Sequence, residues 1–234
     1  MTIDQVDTDA SAKPADVDGS RSGQEVWVAP RLATSPTDEA WSETTIGGAL
    51  LRRQFVFVPS PDPWEHVHAA QRAMEAGAPR VLRLRPGIPG HRFPLVDWVL
   101  EPLPAICERE GYALALDWGP SGALPLAELA SFACSAPEVP LLLLGDRLFE
   151  QTAIWRLLDR CPNILLQITN RAGPVDLATG IETFGAHRFV YGSRGAGSCA
   201  DETLLAALEV DDKAALLNGN ARQLDSLGWR EQWL

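Results

Sequence analysis

The sequence predicts an α/β fold of the (β/α)8 TIM-barrel type, an incomplete barrel whose first two strands are degenerate. Three observations predict it. Short apolar runs alternate with helix-length segments in six successive βα units from residue 54 to residue 193. The runs are almost continuously apolar, as in Leu141-Leu-Leu-Leu144 and Ile164-Leu-Leu-Gln-Ile-Thr169, and such strands are buried on both faces, as in a parallel sheet. The alternation is strict, and right-handed crossovers repeated in one direction curl a sheet into a barrel rather than an open doubly wound layer.

The elements follow in order. Residues 1–23 are polar and acidic and predict a disordered tail, with residues 24–234 forming the barrel domain. Glu25-Val-Trp-Val-Ala-Pro30 is the first strand candidate, and residues 31–49 show no clear period. Gln54-Phe-Val-Phe-Val-Pro59 predicts a buried strand. Asp62-Pro-Trp-Glu65 opens a helix, because Asp caps, Pro suits the first turn and Glu65 completes a capping box; the helix stops at Gly77. Strands then fall at 81–85, 112–117, 141–144, 164–169 and 189–193, with helices over 95–109, 126–134, 148–160, 175–184, 201–209 and 211–217. Six strands alone would leave two open edges, to be closed by Val26–Pro30 and its flanks or by a partner, either a catalytic homologue or a second copy of the chain in a homo-oligomer.

The net charge of −11 is unevenly placed: residues 1–50 hold nine acids and three bases, so the N-terminal fifth carries −6. That argues against nucleic-acid and anionic-membrane surfaces. The acidic start has no apolar run of the kind a secretory leader needs, and no segment is apolar enough to span a bilayer. The four cysteines (107, 134, 161, 199) are widely spaced, without metal-site spacing, and predict a reduced, cytoplasmic setting.

Phe184-Gly-Ala-His-Arg-Phe-Val-Tyr-Gly-Ser-Arg194 resembles the last barrel strand of the amidohydrolase-related family, the branch that includes aminocarboxymuconate-semialdehyde decarboxylase. Leu216-Leu-Asn-Gly-Asn-Ala-Arg-Gln-Leu224 resembles that family's closing helix, with its Asn-Ala-x-x-Leu signature. Phe55-Val-Phe-Val-Pro-Ser-Pro61 and Val81-Leu-Arg-Leu-Arg-Pro86 resemble its third and fourth strands, so the likeness covers about residues 54–227. The resemblance implies a metal-dependent barrel, with a His-x-His on the first strand, histidines on the fifth and sixth, and Asp after Gly-Ser on the eighth. This chain departs at each point. Residues 24–50 contain no histidine, the fifth and sixth strands end in Asp117-Trp118 and Gly145-Asp146, and Arg194 stands where the family's Asp is expected.

A barrel site lies at the C-terminal ends of the strands. Those ends supply Asp117 and Asp146 as catalytic candidates and Arg83, Arg85, Trp118 and Arg194 as ligand-binding candidates, with Asn170 and Arg171 nearby in sequence. Period two puts Arg83 and Arg85 on one face of their strand. Two readings stay open: an arginine–aspartate network that plugs the barrel, or a cationic pocket for a small acidic ligand. His66-Val-His68 is not a metal pair, because residues two apart on a helix face about 200° apart. His91 and His187 have no ligand partner in sequence, and the run Gly192–Gly197 matches no complete phosphate fingerprint. The expectation is therefore a metal-free barrel with no cofactor: a non-catalytic partner of a catalytic homologue, or a binder of a small acidic ligand. The alternative is an active hydrolase or decarboxylase of that type, acting on a small carboxylate or on a cyclic amide or lactone.

Overall fold

The computed structural model describes residues 6–7, 25–28, 44–46, 49–57, 59, 62–76, 78–87, 92–117, 125–145, 152–168, 174–192, 206 and 208–226. Five strands from residue 81 onward alternate with helices: β6 (Val81–Leu84), α2 (Asp97–Leu100), α3 (Leu103–Glu110), β7 (Ala113–Asp117), α4 (Leu126–Ser135), β8 (Leu141–Leu144), α5 (Ala153–Arg160), β9 (Ile164–Ile168), α6 (Pro174–Phe184) and β10 (Phe189–Tyr191). Before them come β1 (Val6–Asp7), β2 (Glu25–Val28), β3 (Thr44–Ile46), β4 (Ala49–Arg53), β5 (Val56–Phe57) and α1 (Pro63–Glu75). After them come α7 (Val210–Ala214), a π-helical turn over Ala215–Gly219, and α8 (Asn220–Asp225).

Strands β5 to β10 form a six-stranded, all-parallel sheet in strict sequence order, each beside its predecessor. A doubly wound sheet would reverse direction at a switch point; this one never does, which is barrel winding. A second sheet has the order β1-β2-β4-β3, with β1, β2 and β4 parallel and β3 antiparallel. Only Gln54 and Phe55 separate β4 from β5, and Arg83 already donates its backbone N–H to the Phe55 carbonyl at 2.8 Å. Counting β4 and β5 as one position, the parallel strands occupy eight places in order, the number a (β/α)8 barrel needs.

The expected frame thus stands, with three differences. Residues 31–49 contain β3 and the start of β4, which lack the apolar run of the later strands. Val6–Asp7, inside the stretch read as disordered, pairs with β2; the rest of residues 1–23 lies outside the described residues. The single helix expected over 95–109 is two. Glu101 turns to an extended conformation (φ −62°, ψ 133°) before Pro102, because a proline disfavours α geometry in the residue ahead of it. Pro102 then leads into α3, which closes at Gly111 in the left-handed region (φ 69°).

Alternation along the strands separates two cores. Leu82, Leu84, Leu114, Leu116, Leu141, Leu143, Ile164, Leu166, Ile168, Phe189 and Tyr191 face outward, onto helix residues such as Ile106, Leu129, Phe132, Ile154 and Leu177. Val81, Ala113, Ala115, Leu142, Leu144, Leu165 and Val190 face inward. Ala221 and Leu224 of α8 join this inner cluster, so the last helix fills part of the concave face. Asn220 fixes it there: Nδ2 donates to the carbonyls of Ala186 (2.8 Å) and Phe189 (2.7 Å). The three signature residues of the closing helix thus have one physical task, to hang α8 on β10 and bury its apolar side. Asp62 caps α1 as expected, its Oδ1 accepting from the N–H groups of Trp64 and Glu65.

Leu224→Ala removes a fully buried side chain from the concave face and is expected to cost about 2–5 kcal/mol. Asn220→Ala strips one buried and one partly buried carbonyl of their donor and is expected to cost about 1–3 kcal/mol. Urea unfolding followed by circular dichroism checks both; an Asn220→Ala protein as stable as the parent would remove this residue from the role given to it.

Candidate functional site

The inner face changes character toward the C-terminal ends of the strands. Below, it is lined by Val81, Ala113, Leu142 and Leu165; above, it carries Arg83, Arg85, Asp117 and Gln167. Register explains the arrangement. Arg83 lies opposite Ala115, whose small side chain leaves room for a guanidinium. Asp117 follows two residues later on the same face of β7, within reach of both arginines.

The carboxylate of Asp117 is divided between them. Arg83 donates from Nε (2.9 Å) and NH2 (2.6 Å) to Oδ1, and Arg85 donates from Nε (2.8 Å) to Oδ2. Arg83 also donates from NH1 to Gln54 Oε1 at 3.1 Å. Arg83 is almost fully buried, whereas the side chains of Arg85 and Asp117 retain 24% and 21% exposure. The inner pair is therefore shielded, and the outer one is reached by solvent. Gln54 is completely buried. Its oxygen must face the guanidinium, which leaves Nε2 buried with no hydrogen-bond partner.

Gln167 reaches across to β10. An added Cβ at Gly192 would come within 2.7 Å of the Gln167 amide carbon, so glycine at 192 is needed for that side chain to lie where it does. Gln54 and Gln167 were not singled out from the sequence. The available signal was local: each is the one polar residue in an otherwise apolar strand run.

Of the residues singled out, the structure brings Arg83, Arg85 and Asp117 together. Trp118, Asp146 and Arg194 lie outside the described residues, as do Asn170 and Arg171. His68 is on α1, exposed, and His66 is on the same helix. His187 sits in the 3-10 turn before β10, at the opposite end of the strands, where burial and then Arg188 lower its pKa.

That opposite end is held by backbone-directed side chains. Arg188 donates from Nε to the Ile164 carbonyl (2.8 Å) and from NH2 to those of Cys161 (2.9 Å) and Leu158 (3.2 Å). Burial pulls its pKa down to about 10, so it stays charged at neutral pH. Asn163 Nδ2 lies 3.0–3.1 Å from the carbonyls of Ala133, Ala136 and Val139.

No family model matches the sequence, and no curated protein matches it. Solved structures do. An uncharacterised TIM-barrel protein from Bordetella bronchiseptica is 18% identical, with a TM-score of 0.65 over 89% of this chain and 80% of that one. Dihydroorotase from Campylobacter jejuni is 11% identical, with a TM-score of 0.63 over 94% and 82%. The 5-carboxyvanillate decarboxylase from Sphingomonas paucimobilis is 13% identical, with a TM-score of 0.59 over 75% of this chain and 66% of that one. These likenesses establish the fold: a TIM-barrel-type α/β fold.

The described residues do not fit the metal that the resemblance implies. Among them, no three His, Cys, Asp or Glu side chains lie close enough to hold an ion. Both oxygens of Asp117 already face guanidinium groups, and a divalent cation there would meet two fixed positive charges.

Removing Arg83 should hurt more than removing Arg85. Arg83→Met takes the shielded cation from Asp117 and is expected to destabilise by about 2–4 kcal/mol, below the usual cost of breaking a buried pair because Arg85 remains. Arg85→Met removes a solvent-reached pair and is expected to cost under about 1 kcal/mol. Urea midpoints of the two variants test the order; equal tolerance would show that the ion pair does not organise the inner face.

Proposed function

We propose that this chain is a metal-free barrel that binds a small acidic ligand at the C-terminal mouth of its strands and works as a non-catalytic binding or regulatory subunit. One observation carries the reading. The inner face places two guanidiniums, Arg83 and Arg85, around the carboxylate of Asp117, and the outer of the two pairs is reached by solvent. A planar guanidinium at that end suits the recognition of a carboxylate. Gln54 Nε2 adds an unmatched donor at the inner edge of the same cluster. Arg194, expected from the sequence at the mouth of the last strand, and Trp118 after Asp117 complete the proposed site.

The second reading is a metal-independent hydrolase or decarboxylase using Asp117 and Asp146. It is favoured by the fold likeness to a decarboxylase whose name gives it a carboxylated substrate. With a carboxylate substrate both readings call for an acidic small molecule and differ in whether it is turned over; the hydrolase form also admits a cyclic amide or lactone.

Thermal melts with a panel of aromatic and aliphatic mono- and dicarboxylates test the reading. A ligand present at 100 times its Kd stabilises by about 2.7 kcal/mol, which for a domain of this size is a rise of roughly 5–10 °C. The rise is expected for the parent and is expected to vanish in Arg85→Gln. Elemental analysis of the same preparation should find no stoichiometric zinc or manganese. Absence of any carboxylate-dependent shift at millimolar concentration rejects the binding site. An EDTA-removable metal accompanied by decarboxylation or hydrolysis rejects the metal-free reading.

A further inference from the structure

Away from the mouth, on the outer helical layer, two cysteines meet. Cys134 lies near the C-terminal end of α4, and Cys161 is the residue that ends α5. Their Sγ atoms are 3.5 Å apart, and both are free thiols. Cys134 is exposed, whereas Cys161 is buried. The backbone on both sides is fixed. Asn163, two residues beyond Cys161, holds the carbonyls of Ala133 and Ala136, which flank Cys134. Arg188 holds the carbonyl of Cys161 itself. Two thiols in sulfur contact, on backbones pinned to each other, need little movement to reach the bonding distance of about 2.05 Å.

We propose that Cys134 and Cys161 are an oxidation site, a thiol pair that closes into a reversible disulfide joining the ends of α4 and α5. The division of labour follows from exposure. Cys134 faces solvent and meets the oxidant. Cys161 is pushed up to about 11, by burial first and then by its contact with Cys134, so it waits as a protonated thiol. With hydrogen peroxide as oxidant, Cys134 sulfur attacks one peroxide oxygen and the O–O bond breaks, giving a sulfenic acid and one water. Cys161 sulfur then attacks Cys134 sulfur. The S–O bond breaks, the S–S bond forms, and the hydroxyl leaves with the Cys161 proton as a second water. Two thiols lose two electrons and two protons in all, and one peroxide becomes two waters. Cys107 is the internal reference: it is fully buried, and burial drives its thiol far above the ordinary range.

The test uses the full chain. Reduced protein is freed of reductant, exposed to hydrogen peroxide, denatured, alkylated and weighed. The expected result is a mass lower than that of the alkylated reduced control by two alkyl groups and about 2 Da more, and a tryptic link between the peptides carrying Cys134 and Cys161. The link closes a loop of about 27 residues and should raise the thermal midpoint by roughly 5–10 °C, reversed by dithiothreitol. Cys134→Ser and Cys161→Ser should each abolish the intramolecular link. Retention of every alkylatable thiol after peroxide treatment overturns the proposal. So does a link that uses Cys107 or Cys199, or one that joins two chains. The mapping on the parent protein decides the matter even if a variant fails to fold.

Discussion

Every strand of the six-stranded sheet must bury two faces, and most of the molecule follows from that constraint. A parallel sheet cannot leave one face to water, because its crossovers cover one side with helices and its curvature encloses the other. The outer face is met by the apolar stripes of α1 to α6. The inner face has no helix of its own in a closed barrel and is filled by its own side chains. Here the filling is shared. Val81, Ala113, Leu142 and Leu165 supply the lower part, and Ala221 and Leu224 of α8 supply more. This is why the chain beyond β10 is needed by the fold. The inner face is not self-sufficient, and Asn220 anchors the helix that completes it.

Above that apolar layer, burial imposes a different rule. A guanidinium as enclosed as that of Arg83 cannot be left without counter-charge, since an isolated buried ion is far costlier than any single contact can offset. Asp117 meets that need on one oxygen and turns its other oxygen to Arg85. The plug and pocket readings are therefore not exclusive. The inner pair, shielded and braced by Gln54, is structural, whereas the outer pair retains solvent contact.

The legible part of the fold was the part governed by burial. Strands β6 to β9 begin and end within one residue of the sequence-based bounds, because an apolar run between turn residues has few other uses. The break between α2 and α3 was written in Glu101-Pro102 but masked by apolar periodicity on both sides. Strands β1, β3 and β4 were not legible, since Thr44-Thr-Ile46 and Ala49-Leu-Leu-Arg-Arg53 gain strand character from pairing rather than from composition. At the site, period two puts Arg83 and Arg85 on one face of their strand, and both pair there with Asp117, the acid that the arginine–aspartate network called for. Gln54 and Gln167 escaped notice because a lone glutamine in an apolar run looks like noise until its hydrogen-bond partner or its neighbouring glycine is known.

The two ends of the barrel differ in how polar groups are used, and the difference bears on function. At the N-terminal end, Arg188, Asn163 and Asn220 all donate to backbone carbonyls. Such bonds satisfy main-chain groups, hold helices to strands and leave nothing over for a ligand. At the C-terminal end, the polar side chains of Gln54, Arg83, Arg85 and Asp117 address one another instead. Side-chain networks of that kind can re-pair when another charged group arrives, because neither partner is committed to the backbone ladder. Under the proposed function, an incoming carboxylate would take up Arg85 while Arg83 keeps Asp117 neutralised. Backbone-directed donors hold one end of the strands and a side-chain ion-pair cluster the other.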